Sequence, residues 1–440
     1  MDVSKEYDSL LSLRKKGLLP YYGFFSSSIC LLFLRKIRRI GFFGDPAYLG
    51  MVEKRSYERS VLKEQLARME ERNSLDANSL ACLLPTFASL LSKKNEIWNY
   101  IDEDLPSQTS KEMGSLIKKL LEYADKDFSK GLTYTSRLDL ISPVRKVLNV
   151  KKSETFMDVF AGFYTLGYGV NASAYYGFDK DEKALGVAYM AMILLGKSGI
   201  NLKKGDVYSL KELPKCDKIF LDASFVSAQE GKKSEKLIRL VLDSLNPEGT
   251  AVVLCNSKLL NGEEFLSFRK ELSNGGHLKS VVALPGKVSS RLYLLVLSES
   301  ESRQVEFLDA SRSEISPETA EEAEEEAPRR VSDSWDNHAS SYSSFGGFGF
   351  VTSLSFVARP IEEELPLKER LEKGGCSDIV SETLRPEDVQ TERNVSLSPS
   401  LYCRTSNDDQ GDSKGRSLRD IEKDLNEEYQ NFMDLCSRFY

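Results

Sequence analysis

Carboxylates and a glycine follow apolar runs in the middle of the sequence, where the strands of an α/β fold would end. Asp158 comes four residues before Gly162, Asp179 and Asp222 come after further apolar runs, and Asp206 follows Gly205 between them. A glycine lets backbone approach a ligand, and a carboxylate about 20 residues further on can accept the hydroxyls of a ribose. The spacing predicts one nucleotide-like site built from several strand ends.

A second motif follows one of these runs. Asp222, Ala223, Ser224 and Phe225 form a polar–small–small–aromatic turn directly after the apolar run that ends at Leu221. Because the carboxyl ends of parallel strands meet at one edge of a sheet, this turn is expected beside the glycine and the other carboxylates.

The segment 131–310 contains the elements that must position these residues. Short β-branched or aromatic runs alternate there with helical stretches, which is typical of crossover connections in a doubly wound, mostly parallel sheet. The predicted strands are 155–160, 174–178, 218–221, 250–255, 280–284, 292–297 and 305–308, and the predicted helices are 140–148, 182–195, 233–245 and 263–272.

The remainder of the chain has a different character. Residues 1–130 show helical periodicity and predict an α-helical N-terminal domain. Residues 311–349 are acidic and of low complexity, 350–407 form a C-terminal extension, and 408–440 combine a polar linker with a helix. In that helix apolar residues from Leu418 to Phe439 follow 3–4 spacing, which predicts packing on a partner helix or on the N-terminal domain.

Composition narrows the functional class. The chain has 440 residues and a net charge of −7, so any contact with nucleic acid is expected to be local or shared with a more basic partner. The apolar stretches are too short to span a membrane and no signal peptide is visible, which predicts a cytoplasmic protein. Seven scattered cysteines and two histidines predict no metal site.

One basic run leaves two interpretations open. Arg35, Lys36, Arg38 and Arg39 follow the apolar face of the first strong helical segment. They form either a solvated helix face or a contact to phosphate.

Several segments resemble the modification subunit of type I restriction-modification systems, an N6-adenine DNA methyltransferase family. The sequence YYGFDKDEKALGVAYMAMILLGKSGI at 175–200 is the most specific match in the core. Further similar segments are SSICLLFLRKIRRI at 27–40, GLTYTSRLDLISPVRKVL at 131–148, LNPEGTAVVLCNSKLLNG at 245–262, LKSVVALPGKV at 278–288, VEFLDASR at 305–312 and NVSLSPSLYC at 394–403.

The resemblance implies a cofactor, S-adenosylmethionine, and residues that bind it. Asp158 and Gly162 match the family's cofactor turn, while Asp179 and Asp206 match its ribose and adenine ligands. Thr135 matches a segment before the core that here lacks its proline. Tyr164 occupies the place of the turn's second glycine, so its phenol is expected to fill the methionine pocket.

The resemblance also assigns the catalytic turn. In the family that turn reads Asn-Pro-Pro-Phe: its first residue bonds the adenine amino group and its aromatic ring stacks on the flipped base. Asp222 and Phe225 match these two positions, whereas Ala223 and Ser224 replace the prolines that hold the turn.

Three functions therefore stay open. The first is a modification-type subunit with eroded cofactor and catalytic motifs that binds DNA and its partners, namely the specificity subunit and the restriction subunit. The second is an active adenine-N6 methyltransferase, and the third is a methyltransferase-fold protein that acts on a substrate other than DNA. Target sequence and oligomeric state do not follow from the sequence.

Overall fold

The computed structural model describes most of the chain outside the acidic segment and the C-terminal tail. The described residues are 3–20, 23–40, 46–92, 95–103, 109–127, 138–224, 231–284, 292–300, 302, 304–311, 366–373, 379–385, 389, 396–399, 402 and 403.

A nine-stranded sheet forms the centre of the molecule, in the order β3-β2-β1-β4-β5-β7-β6-β8-β9. The strands are β1 Thr155–Asp158, β2 Ala174–Asp179, β3 Ile200–Lys204, β4 Cys216–Asp222, β5 Leu245–Asn256, β6 Leu278–Ala283, β7 Leu292–Ser298, β8 Val305–Asp309 and β9 Val380–Leu384. The first five strands in this order run parallel, and β7 pairs antiparallel with both β5 and β6. Apolar clusters cover both faces of the sheet. The predicted doubly wound, mostly parallel α/β fold is confirmed.

Helices precede the sheet, alternate with its strands and follow it. Their bounds are α1 Val3–Lys15, α2 Phe24–Ile40, α3 Pro46–Glu53, α4 Arg59–Arg72, α5 Leu84–Leu91, α6 Asn95–Asp102, α7 Ser110–Asp127, α8 Leu138–Leu148, α9 Glu182–Leu194, α10 Gly231–Leu242, α11 Ser257–Asn261, α12 Leu266–Asn274 and α13 Leu367–Lys373. Helix α2 packs on α9, and the N-terminal helices share one apolar cluster with one face of the sheet. None of the helices in the described ranges is long and apolar enough to cross a membrane.

Two edge-side strands were not predicted. Strand β3 has the sequence INLKK and buries only two of its five side chains, while β9 has VSETL with both ends only partly buried. Strands of this kind lack the apolar run that marks a central parallel strand. Strand β9 belongs to the predicted C-terminal extension and pairs antiparallel with β8.

The first two cations of the basic run in α2 bond to groups within the protein. Arg35 is 4% exposed, and its Nη1 donates to Glu6 Oε1 at 2.6 Å. Lys36 Nζ donates to the carbonyl of Ile193 at 2.8 Å, near the C-terminus of α9. These two cations are therefore internal contacts of the fold, while the side chains of Arg38 and Arg39 lie outside the described residues.

The C-terminal extension contributes to the same body. Arg370 in α13 donates to the carbonyl of Val147 in α8 at 3.1 Å, and Tyr402 packs on Phe307 of β8 with ring centroids 4.2 Å apart. Leu397 is fully buried in the apolar cluster on the face of the sheet away from the N-terminal helices. The acidic segment from 312 onward and the predicted C-terminal helix lie outside the described residues. The proposed domain boundaries stay predictions.

Candidate functional site at the carboxyl edge of the sheet

The strand ends bring the predicted carboxylates to one edge of the sheet. Asp158 ends β1, where it pairs with Gly177 of β2 and with Phe220 of β4, and Asp222 ends β4. Because side chains alternate along a strand, Asp158 and Asp222 project from the same face as Phe156. Thr135 and Phe225 lie outside the described residues, so their predicted roles stay predictions.

Asp179 holds the turn after β1. One carboxylate oxygen accepts the backbone N–H of Gly162 at 2.9 Å, and the other accepts the N–H of Asp181 at 2.8 Å. Gly162 has φ +47°, a left-handed conformation that favours glycine. The predicted pair of a glycine and a carboxylate is thus brought into contact, and the carboxylate fixes the conformation of the turn.

Asp206 lies in the next turn and pairs with a lysine that the sequence analysis overlooked. One of its oxygens accepts the N–H of Tyr208 at 3.1 Å, and the other lies 3.1 Å from Lys180 Nζ. The hydrogen bond from Lys180 is the largest cause of a lowered pKa at Asp206. Its place directly after Asp179 was the only signal in the sequence that pointed to Lys180.

The turn after β4 is held by hydrogen bonds that prolines could not make. The N–H of Ala223 donates to the carbonyl of Leu254 at 2.8 Å, and both the N–H and Oγ of Ser224 donate to Asp222 Oδ1, at 2.9 and 2.6 Å. Asn256, which was not predicted, donates from Nδ2 to the carbonyl of Ser224 at 3.4 Å. Ala223 therefore continues the β4–β5 hydrogen bonding by one residue beyond the strand, and Ser224 closes the turn onto Asp222.

Asp158 is the most buried carboxyl group at this edge. It is 2% exposed, and its Oδ1 accepts no hydrogen bond from the described residues. Burial, followed by the nearby carboxylate of Asp222, raises the pKa of Asp158 well above its ordinary value. The folded protein therefore favours the neutral acid at this position.

An Asp158→Asn variant is expected to stabilise the protein at neutral pH and to have less effect in acid. Because the pKa of Asp158 is raised on folding, its contribution to stability is full below the unfolded pKa of about 3.9. That contribution declines as the pH rises from there to the folded pKa. The total loss is about 1.4 kcal/mol for each pH unit between the two pKa values. Asparagine does not ionise and avoids this loss. Urea denaturation at about pH 5 and about pH 8 measures the effect, and an advantage of the variant that fails to grow with pH would contradict it.

Tyr164 has a fully buried side chain. Its backbone keeps the left-handed φ of +60°, but its side chain is 0% exposed and lies near the rings of Phe156 and Tyr175, at centroid distances of 6.0 and 6.4 Å. Its hydroxyl donates to the carbonyl of Tyr176 at 2.9 Å. The phenol packs in the apolar cluster on one face of the sheet. The expectation that it fills the methionine pocket stays a prediction.

The connection from β1 to β2 has no α-helix. Residues 159–173 contain only a short 3-10 turn, Gly167–Gly169, whereas parallel crossovers usually carry an α-helix. Arg145 of α8 donates instead to the carbonyls of Leu166 and Thr165, at 3.0 and 3.1 Å. The backbone N–H groups that a helix start would present to an anionic ligand are therefore missing after β1.

These observations decide how well the site matches S-adenosylmethionine. The two carboxylates that the resemblance assigns to the adenosine end, Asp179 and Asp206, are both present at this edge, although each already has hydrogen-bond partners. The end that would hold the methionine carboxylate lacks a helix N-terminus, and Arg145 is bonded to backbone carbonyls there. The residues present do not fit the complete cofactor.

No protein-family model matches the sequence, and no curated protein matches it. Among solved structures, the type I restriction-modification methyltransferase subunit from Streptococcus thermophilus has a TM-score of 0.59 at 12% identity, covering 92% of this chain and 100% of that one. A structure described as showing complex assembly and conformational transition of the type I restriction-modification system has a TM-score of 0.49 at 14% identity, with 96% and 93% covered. The first likeness extends over nearly the whole chain, so the resemblance is confirmed at the level of the fold.

Proposed function

We propose that this chain is a modification-type subunit of a type I restriction-modification-like system, with eroded cofactor and catalytic motifs, that binds DNA and partner subunits in the cytoplasm. The observation that carries the proposal is the helix-free β1–β2 connection, which removes the anion-binding end of the cofactor site. The likeness in fold to a methyltransferase subunit extends over nearly the whole chain. It supports a structural role in a complex, which needs the fold but not methyl transfer.

The catalytic turn supports erosion independently of the cofactor turn. In the resembled family two prolines fix the backbone that aims the catalytic groups. Here Asp222 Oδ1 accepts two hydrogen bonds from Ser224, so this oxygen is already engaged within the turn. Misplacement of a reacting group by about 1 Å can cost about 100-fold in rate.

One arrangement favours a second candidate, an active adenine-N6 DNA methyltransferase. Asp179 ends β2, Asp206 follows β3 by two residues and Asp222 ends β4, all at the same edge of the sheet and in the order the resemblance implies. In this candidate S-adenosylmethionine supplies the methyl group. Asp222 would accept a hydrogen bond from the adenine amino group, and Phe225 would stack on the base.

Calorimetric titration with S-adenosylmethionine separates the two candidates. We expect binding of the full chain to be weak or undetectable at millimolar cofactor, because one half of the site is missing. A methyl-transfer assay on adenine-containing duplex DNA, run together with a specificity subunit, is the second measurement. Robust transfer that disappears in Asp222→Ala would establish the active enzyme and overturn the proposal.

The partner role is tested through the predicted C-terminal helix. Deletion of 417–440 is expected to abolish co-purification with the specificity subunit, because the apolar seam from Leu418 to Phe439 is its predicted contact. The melting temperature of the remaining chain serves as the control and should change little. Unchanged co-purification would refute the contact.

A further inference from the structure

Three lysines surround one half-exposed tyrosine at the carboxyl edge of the sheet. Lys180 Nζ and Lys233 Nζ lie 5.8 and 5.4 Å from the ring centroid of Tyr208, and Lys236 Nζ donates to the carbonyl of Tyr208 at 3.0 Å. The ring of Phe160 lies 5.9 Å from that of Tyr208. We call these five residues the lysine–tyrosine patch: Phe160, Lys180, Tyr208, Lys233 and Lys236. They come from the ends of β1 and β2, the turn after β3 and the start of α10.

The patch is positive in a protein that is negative as a whole. Lys180 is paired with the carboxylate of Asp206, and Lys233 and Lys236 place two further ammonium groups beside the same ring, in a chain with a net charge of −7. Such a local concentration of cations attracts anions and repels cations. S-adenosylmethionine carries a sulfonium and an ammonium against a single carboxylate, so it is net positive, whereas a nucleoside phosphate is negative. The charge of the patch favours the phosphate.

The position of the patch matches a nucleotide site. The sheet order places β1 between β2 and β4, which is the switch point where open α/β sheets bind ligands outside their carboxyl ends. Asp179, whose carboxylate fixes the Gly162 turn, directly precedes Lys180 in the chain. Aromatic rings can stack on a base, and neighbouring ammonium groups can bind its phosphates.

The size of the patch selects a single nucleotide over a nucleic-acid strand. The lysines cluster around one ring pair, whereas modules for single-stranded nucleic acid track about four or more nucleotides. We propose that the lysine–tyrosine patch binds a nucleoside phosphate in place of S-adenosylmethionine, with the base on Phe160 and Tyr208 and the phosphates on the lysines. The site does not depend on whether the chain joins a restriction-modification complex.

Titration calorimetry of the full chain with ADP, adenosine, S-adenosylmethionine and a single-stranded DNA 12-mer tests the proposal. We expect ADP to bind at least tenfold more tightly than adenosine, because the phosphates account for the charged contacts. The variant with both Lys233→Ala and Lys236→Ala should lose at least tenfold in ADP affinity and leave adenosine affinity unchanged. Lys203→Ala, which removes an exposed lysine of β3 outside the patch, is the matched control and should change ADP affinity by less than twofold.

The contradicting outcomes are equally specific. Equal affinities for ADP and adenosine, absence of ADP binding at millimolar concentration, or an equal loss in the control would overturn the proposal. Tight binding of the 12-mer that ADP does not displace would assign the patch to nucleic acid instead. Because none of these measurements requires a partner subunit, a failure here is distinguishable from a failure of the proposed restriction-modification role.

Discussion

Replacing Tyr164 by glycine is expected to destabilise the protein by roughly 3 kcal/mol, although it restores the residue of the resembled cofactor turn. Removing a buried aromatic side chain from a core typically costs about 3–5 kcal/mol, and the left-handed backbone of Tyr164 returns about 1–2 kcal/mol of that when glycine takes its place. The loss of packing exceeds the relief of strain. Urea denaturation followed by circular dichroism measures the difference.

Two neighbouring glycines show how closely the fold is adapted to the Tyr164 ring. A Cβ atom at Gly167 would overlap Tyr164 Cε1, and a Cβ at Gly177 would lie 3.0 Å from Cε2. Gly167 and Gly177 thus leave space for the ring of Tyr164 rather than for a ligand. Tyr164→Phe is the matched control, because it keeps the ring and removes only the hydrogen bond to Tyr176, at a cost of about 1 kcal/mol.

The same variant is not expected to restore cofactor binding, and prolines in the catalytic turn are not expected to help. Tyr164→Gly leaves the β1–β2 connection without a helix, so the missing anion-binding end stays missing. Ala223→Pro and Ser224→Pro would remove the N–H groups that donate to Leu254 and Asp222. Measurable S-adenosylmethionine binding by the triple variant, with its fold intact, would show that these three positions alone caused the loss.

The sequence predicted the sheet and its edge because both depend on patterns that are local in the chain. Apolar runs marked seven of the nine strands; Asp179 and Asp222 follow such runs directly, whereas Asp158 lies within the predicted strand 155–160 and ends the observed β1. Strand β9 could not be found in this way, since VSETL becomes a strand only by pairing with β8, a contact between distant segments.

What could not be predicted are contacts that only the folded chain creates. Arg145 looked like one of several basic residues in a helix, and its bonds to the carbonyls of Thr165 and Leu166 depend on where α8 lies. The direction of the Tyr164 side chain could not be read from the sequence, and the sequence therefore predicted a phenol in the methionine pocket. In a turn with a positive φ the direction of a side chain depends on the space available around it. For Tyr164 that space is the apolar cluster on one face of the sheet.

The largest expected effect in the helical region comes from Arg35→Ala, which should destabilise the protein by about 3–5 kcal/mol. Arg35 and Glu6 are both buried, their charges meet at 2.6 Å, and the hydroxyl of Tyr100 also donates to Glu6. Truncating one partner leaves the other charge buried without its counter-ion, a cost that exceeds the net contribution of the intact pair. The guanidinium also lies 4.3 Å from the centroid of the Tyr100 ring, so its removal loses a cation–π contact as well.

Arg55→Ala is the matched control for this effect, because Arg55 makes an exposed hydrogen bond to Asn99 at 2.7 Å. Exposed substitutions of this kind usually stay within about 0.5 kcal/mol. A double variant, Arg35→Met with Glu6→Leu, removes both charges and should recover most of the loss, since replacing a buried ion pair by apolar side chains is often neutral. If the single and double variants are equally unstable in urea denaturation, packing around α1 and α2 rather than the unpaired charge explains the loss. Recovery in the double variant would identify Arg35, the first cation of the basic run, as part of the internal structure of the helical region and therefore unavailable for phosphate.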